Sequence, residues 1–325
     1  MPAAHIRNIR SEIQPVSDAA KNLLSVLLYF DIFDYPLTAS EIIDRSSIIS
    51  KTEALKEIYA LTERGGIYRY GDYYTIQNNG ALVNRRIKGN LLAIKYLRKA
   101  RRISSLISYF PFVKSVMLSG SISKMYMDEN SDIDYFIITE PNRLWIARFF
   151  FVLFHKTLFL NNTKLFCYNY MIASDHLGIA KMDTYTAAEI VTLIPTYGSA
   201  CYRKFLEANT WTKAFFPNFP VPVTENIKEG RSWIKQLLEK IFSGRLGENL
   251  DIYLMKHTER RWHRRLPPHL FADPEAYMSL KRHTAKGHTH DHYPRILKAY
   301  QDRIRSFEIS HGTTLSQASA NSFHN

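Results

Sequence analysis

Residues 116–138 read VMLSGSISKMYMDENSDIDYFII, and this stretch decides which fold and which chemistry the chain predicts. An apolar run ends in Ser119-Gly120-Ser121, and a second apolar run follows Asp132-Ile133-Asp134. Both runs have the composition of buried strands, so the pattern predicts strand, short helix and strand. Because side chains two residues apart share one face of a strand, Asp132 and Asp134 are expected to point the same way.

Two carboxylates held side by side repel each other unless cations lie between them. Hard oxygen ligands of this kind suit Mg²⁺, which typically also contacts substrate phosphates. Gly120 lets a phosphate approach the backbone closely, and the Ser121 hydroxyl with the following amides can bind phosphate oxygens. Lys124 adds a positive charge one turn later. The segment therefore combines a metal site with a phosphate site.

The combination resembles the signature of the DNA polymerase β-like nucleotidyltransferase superfamily, and its start and end resemble the minimal nucleotidyltransferase branch. The resemblance rests on an apolar strand, Gly-Ser, the ten-residue spacer 122–131 and Asp-Ile-Asp-Tyr. It implies a mixed sheet and transfer of a nucleoside monophosphate from an NTP to a hydroxyl, with release of pyrophosphate. It also implies that Gly120 and Ser121 hold the triphosphate. Asp132 and Asp134 would ligate two divalent ions, Mg²⁺ or Mn²⁺.

Members of this superfamily commonly carry a third carboxylate on the next strand, where it helps to activate the acceptor hydroxyl. The predicted strand 165–172 contains no acid, and Asn169 is the polar residue nearest to that place. Asp175 or Glu189 could fold back into the role. The alternatives are a base supplied by the acceptor, or a site with reduced or lost activity. The acceptor is open among proteins, RNA ends and small molecules.

The fold class predicted for the whole chain is α/β (α+β), with a nucleotidyltransferase-type mixed sheet between two further domains. Residues 1–80 show three helical patterns and then two β-prone runs around Gly71-Asp72, which is the order of a winged helix-turn-helix. Residues 81–224 are predicted to form the nucleotidyltransferase domain. It opens with a basic helix over 82–109, either continuous or broken at Gly89-Asn90.

Residues 187–194 and 201–208 are predicted as further helices of the middle domain. Residues 225–310 are predicted to form a helical C-terminal domain, and residues 311–325 a disordered tail. His283 belongs to a histidine-rich segment with His288, His290 and His292, which indicates a polar loop more than a metal site.

The chain has 325 residues, a formal net charge of +13 and 46% hydrophobic residues. This hydrophobic content suffices for packed cores, so it excludes a disordered basic tail protein. The positive excess lies toward the two ends, around a nearly neutral middle. Basic flanks can contact nucleic acid, and they serve equally as a solubilising surface.

Cys167 and Cys201 are the two cysteines, which excludes a disulfide framework. The N-terminus lacks the apolar stretch of a signal peptide, and the apolar segment 144–160 is short and interrupted for a membrane span. These features predict a cytoplasmic protein that does not enter a membrane.

Two other functions compete with the enzyme. One is a DNA-binding regulator that uses the nucleotidyltransferase fold as a nucleotide sensor, and the other is a catalytically silent scaffold. The candidate DNA-reading helix 51–63 offers Lys51 and Lys56 together with three acids, Glu53, Glu57 and Glu63. These acids make a partner-binding role at least as well supported as DNA binding.

Overall fold

A computed structural model describes residues 17–48, 50–158, 163–224, 227, 232–272, 278–287 and 292–315, without the side chains of residues 163, 169, 292 and 293. The protein is of the mixed α/β class and divides into two compact units. Unit 1 comprises Met1–Arg86, Lys213–Pro220 and Pro294–Asn325. Unit 2 comprises Ile87–Thr212 and Val221–Tyr293.

Unit 1 begins with three helices and a small antiparallel sheet. The elements are α1 (Asp18–Asp31), β1 (Leu37–Thr38), α2 (Ala39–Arg45), α3 (Lys51–Glu63), β2 (Tyr68–Tyr70) and β3 (Tyr73–Thr75). A capping box begins α2: the Thr38 hydroxyl accepts from the Glu41 N–H, and the Glu41 carboxylate accepts from the Thr38 N–H. The predicted order of three helices and a hairpin is confirmed.

A buried ion pair fastens α2 within unit 1. The Arg86 guanidinium reaches Glu41 with both terminal nitrogens at 2.7 Å, and its side chain is only 6% exposed. The guanidinium also stacks on the rings of Tyr35 and Tyr73 and donates to the Pro36 carbonyl. Burial by itself would raise the pKa of Glu41, but the hydrogen bond and charge of Arg86, with smaller contributions from Thr38 and Arg45, hold this pKa below its usual value of 4.5.

This lowered pKa makes the stability of unit 1 depend on pH. The folded state holds the ionised carboxylate more tightly than the unfolded state, so the stabilisation is complete above pH 4.5 and is lost as the pH falls through the folded pKa. Glu41→Gln is expected to cost about 2–3 kcal/mol at pH 7, because it leaves a buried guanidinium without its counter-ion. Hydrogen exchange of unit 1 amides measures both effects.

The variant should also lose stability less steeply than the wild type between pH 5 and pH 3. Glu63→Gln, which changes an exposed carboxylate of the same unit, serves as the control. Equal stability of wild type and Glu41→Gln at pH 7 would contradict the prediction.

Unit 2 is built on one mixed sheet. Its elements up to the middle of the unit are α4 (Ala81–Ile107), β4 (Val113–Ser119), α5 (Gly120–Ser123), β5 (Asp134–Thr139), α6 (Leu144–Leu158), β6 (Cys167–Ala173), α7 (Thr184–Val191), β7 (Ile194–Tyr197) and α8 (Ser199–Ala208). They are followed by α9 (Trp233–Ile241), α10 (Gly244–Arg265), β8 (Met278–Lys281) and β9 (Thr284–Gly287). Residues 81–86 of α4 are counted with unit 1.

The strand order in this sheet is β7-β4-β5-β6-β9-β8. The β5–β6 pair is parallel, and the other four pairs are antiparallel. Alternate side chains of the strands enter two separate apolar cores. Val116, Tyr135 and Ile137 pack with residues of α4 and α6 on one face. Phe136 and Ile138 pack with residues of α7 and α8 on the other face, which is also the face of Asp134.

The helix α11 (His292–His311) ends the described chain, and its residues from Pro294 onward belong to unit 1. There the Tyr300 hydroxyl donates to the Ser25 carbonyl, and Arg303 pairs with Asp31 at 3.0 Å.

The tail is predicted as disordered over 311–325, but His311 is the last residue of α11, and Leu315 is fully buried with its N–H donating to the Glu308 carboxylate. Residues 316–325 lie outside the described residues.

Of the two alternatives for the basic helix, the continuous one is confirmed, because α4 runs without a break through Gly89 and Asn90. Two other expectations on secondary structure are wrong. The helix predicted over 187–194 ends at Val191, and Ile194 begins the edge strand β7, where Pro195 is tolerated. Residues 278–287 form the hairpin β8–β9, although the sequence favours helices throughout the C-terminal part. This hairpin is stabilised by pairing with β6, a contact that local sequence does not reveal.

None of the helices in the described ranges is both long enough and apolar enough to span a membrane.

Candidate functional site

The pairing of β4 with β5 brings the two halves of the motif together. Ser119, the last residue of β4, pairs with Asp134, the first residue of β5. Gly120 therefore lies beside Asp134 and has a φ of +67°, in the left-handed region. A Cβ added to Gly120 would lie 2.3 Å from Asp134 Oδ2. Only glycine fits here, for its backbone conformation and for the space that the carboxylate occupies.

The Asp-Ile-Asp segment is held rigidly by its central residue. The Ile133 side chain is fully buried in the α4/α6 core. The Ile133 N–H donates to the Lys164 carbonyl, and the Ile133 carbonyl accepts from the Cys167 N–H, both at 3.0 Å. The next residue, Asp134, faces the other side of the sheet. The backbone thus fixes the direction of the carboxylate before any ligand binds.

Asp134 has an unusual electrostatic environment. Burial, followed by the negative charges of Asp132 and Glu189, raises the pKa of Asp134 to about 7. A hydrogen bond with the Cys167 side chain and the charge of Lys124 oppose this rise in pKa. Asp132 itself precedes β5, which begins at Asp134, so only one of the two aspartates lies within the strand. The negative charge of Asp132 nevertheless acts on the Asp134 carboxyl.

Lys124 and Glu189 complete the group. The Lys124 ammonium lies 2.8 Å from Glu189 Oε1 and 3.2 Å from the Gly120 carbonyl. Glu189 comes from helix α7, which packs against the same face of the sheet as Asp134. Of the three candidates for the third position, Glu189 is thus the one whose charge the structure brings to the aspartate pair.

The other two candidates have different outcomes. Asp175 follows the far end of β6, whereas Asp134 pairs with Cys167 at the near end. At about 3.3 Å per residue, the length of β6 separates the two ends by about 20 Å. Asp175 pairs instead with His176 at 3.1 Å. The Asn169 backbone lies in β6, and its side chain lies outside the described residues.

The spacer between the two motif halves is anchored by Gly89 and Asn90, which the sequence suggests only as a possible break in the basic helix. The Asn90 side chain donates to the Met125 carbonyl, and the Met127 N–H donates to the Gly89 carbonyl. A Cβ on Gly89 would lie 2.3 Å from the Tyr126 ring. The sequence does contain an indication of this contact, because a glycine inside a helical pattern often marks a close packing contact.

Ser121 lies directly after Gly120 and is half-buried. Its carbonyl accepts from the Lys124 and Tyr126 N–H groups, and its hydroxyl lies 3.6 Å from Met127 Sδ. These contacts close the turn that carries the predicted phosphate-binding residues.

Within the described residues, no group of three or more His, Cys, Asp or Glu side chains is arranged to hold a metal ion by itself. His288 and His290 of the histidine-rich segment lie outside those residues, as does the side chain of His292. The described His283 ring stacks on His176, with ring centroids 3.8 Å apart.

Comparison with known proteins gives no match: no family model matches the chain, nor does any curated protein or solved structure.

Proposed function

We propose that the chain is a metal-dependent nucleotidyltransferase, which moves a nucleoside monophosphate from an NTP to an acceptor hydroxyl and releases pyrophosphate. The observation that carries the proposal is the contact between Gly120 and Asp134. It places the Gly-Ser turn directly beside Asp134, whose pKa is raised by burial and then by the charges of Asp132 and Glu189, and Lys124 lies beside Glu189.

The aspartate pair fits a divalent cation in its donor chemistry. Asp132 and Asp134 supply hard oxygen ligands, and a bound cation would offset the burial and the neighbouring negative charges that raise the pKa of Asp134. Mg²⁺ is usually held by one or two carboxylates together with substrate phosphates, so a complete cage of protein ligands is not required. When bound, two Mg²⁺ or Mn²⁺ ions supply positive charge to the phosphate oxygens.

The residues of the chain bind the triphosphate and accept the proton of the acceptor hydroxyl. Gly120 and Ser121 bind the triphosphate, and Lys124 exchanges its contact with Glu189 for phosphate oxygens. The acceptor oxygen attacks the α-phosphorus, the bond from that phosphorus to the bridging oxygen breaks, and pyrophosphate leaves. Glu189, released from Lys124, accepts the hydroxyl proton as general base.

The presence of Glu189 also bears on the interpretation as a silent scaffold. That interpretation rests on the missing third acid of the next strand. A carboxylate from α7, 2.8 Å from Lys124, supports an active site with a rearranged third position.

Unit 1 supports a winged helix-turn-helix through its order of helices and hairpin. Its helix α3 exposes Leu55 (51%) and Tyr59 (67%), and the exposed Glu63 follows Tyr59 one turn later on the same face. Apolar and acidic side chains on this face favour a protein partner over DNA. The DNA-binding regulator is therefore the weaker proposal, and a cytoplasmic location remains a prediction from the sequence.

A double-label assay tests the proposed reaction. The purified chain is incubated with each of the four NTPs, labelled at the α- or the γ-phosphate, in the presence of Mg²⁺ or Mn²⁺ and cell lysate. The α-label is expected in an acceptor and the γ-label in pyrophosphate, and EDTA should abolish both. Absence of α-transfer with every NTP, or delivery of the γ-label to the acceptor, would contradict the proposal.

A further inference from the structure

A cavity of about 510 Å³ lies in unit 2 beyond the aspartate pair. Strands β6, β9 and β8 form its floor, and the loop 174–180 forms a wall. This volume lies in the range of small-molecule sites. The lining includes polar side chains that can bind a ligand: Ser174, His176, Ser279, Lys281, His283 and Lys286.

The cavity lies on the same face of the sheet as Asp134, because its floor residue Tyr170 packs with Phe136 in the core of that face. Phe136 follows Asp134 by two residues on β5, so both side chains share that face. The Phe136 ring contacts Tyr170 of the cavity floor, with ring centroids 4.9 Å apart, and Lys286 Nζ lies 5.5 Å from the Tyr170 ring. The near edge of the cavity is thus two to three residues along the strands from Asp134, which is about 10 Å.

The charge of the cavity is positive. Lys281 and Lys286 project from the hairpin β8–β9, and the only carboxylate among the described lining residues is Asp175, paired with His176. Burial, followed by the charges of His176 and Lys281, lowers the pKa of His283. The hydroxyls of Ser174, Ser279 and Thr284 add neutral hydrogen-bonding groups.

We propose that this cavity is the acceptor site, and that the acceptor is a small hydroxylated molecule with an anionic group, a phosphate or a carboxylate. Lys281 and Lys286 bind the anionic group at the hairpin. The hydroxyl of the molecule extends along the floor past Tyr170 to the aspartate pair, where the NTP reacts. This assignment rests on the proposed function, and it makes the acceptor a small molecule in preference to a protein or an RNA.

Direct binding of two simple anions tests the site. Inorganic phosphate and malonate are titrated separately into the full chain, and the ring signals of the histidines are followed by NMR. Lys281→Gln/Lys286→Gln should weaken binding of the preferred anion by about tenfold or more, because charge-assisted hydrogen bonds to the two lysines are lost. Which of the two anions binds identifies phosphate or carboxylate as the natural group.

The control is Lys204→Gln/Lys256→Gln, which removes the same charge from exposed helix positions outside the cavity. Binding within twofold of wild type in this control, with loss in the cavity variant, supports the site. Equal weakening in both variants, or no binding of either anion to wild type, overturns it.

A titration with an NTP and Mg²⁺ distinguishes a cavity that binds the acceptor from one that binds the nucleotide. If Lys281→Gln/Lys286→Gln also weakens NTP binding by tenfold, the cavity holds the nucleotide and the assignment is overturned. The anion titrations contain no NTP. Intact anion binding in a chain that transfers no α-label would therefore count against the proposed reaction, separately from the anion site.

Discussion

Replacing Asp132 and Asp134 with asparagine is expected to lower the rate of NMP transfer by at least about 10³-fold, an effect in the range of losing a principal electrostatic contact of a transition state. Asparagine keeps the shape of each side chain and removes the charge that would hold a divalent cation. Because the same change removes the repulsion within the pair, unit 2 should stay folded and become no less stable. Initial rates with α-labelled NTP, together with thermal unfolding, measure the two effects.

The matched control is Glu129→Gln, which removes one exposed carboxylate of the spacer a few residues from Asp132. Transfer by this control should stay within about twofold of wild type, because exposed charges separated from the site are screened. A double variant that transfers NMP as fast as wild type would contradict the assignment of the aspartate pair.

Gly120→Ala is expected to lower NMP transfer by about 10²-fold or more, with the protein still folded. The added Cβ would start 2.3 Å from Asp134 Oδ2, so the carboxylate must move away from the position that Ile133 fixes. Small displacements of catalytic groups have large effects on rate. The positive φ of Gly120 adds about 1–2 kcal/mol of backbone strain.

Gly244→Ala separates these two causes. Gly244 has a φ of +68°, almost the value at Gly120, and a Cβ added there meets no heavy atom of the described chain within 4 Å. It should therefore lose similar stability while transfer is unchanged. If both variants transfer equally well, or both lose transfer equally, the contact between Gly120 and Asp134 has no special role.

The motif segment was predictable because its structure is local. The strands predicted from the two apolar runs of the motif are observed as Val113–Ser119 and Asp134–Thr139, and they pair directly with each other. A neighbouring antiparallel pair requires only a short connection, so Gly120 and Asp134 meet through local pairing. Alternation of side chains along β5 then places Asp134 opposite the α4/α6 core.

The sequence identifies candidates for the third carboxylate but does not decide among them. Glu189 is more than fifty residues from Asp134 in the sequence, and its approach depends on how α7 packs on the sheet. Asp175 is closer in sequence to the predicted strand and yet lies at the wrong end of it. The separation of two residues in the sequence does not show how a helix packs on a sheet. The sequence therefore leaves Asn169, Asp175 and Glu189 as equal candidates for the third position.

The hairpin β8–β9 was not predicted because it, too, depends on a contact between segments that are distant in the sequence. Its strands have four residues each, too few for a periodic pattern, and they are stabilised by pairing with β6. The cavity and its two lysines depend on that pairing. Gly89 is a second example, because its role becomes visible only when the Tyr126 ring is seen against it.

Calorimetric titration with an NTP analogue that resists cleavage between the α- and β-phosphates tests the central claim most directly. Wild type is expected to bind the analogue in the presence of Mg²⁺, and to bind at least about tenfold more weakly when Mg²⁺ is replaced by EDTA. Asp132→Asn/Asp134→Asn should bind weakly under both conditions. Equal affinity of wild type and this variant in Mg²⁺, or no binding of any NTP analogue by wild type, would contradict a nucleotide site built on Gly120, Asp132 and Asp134.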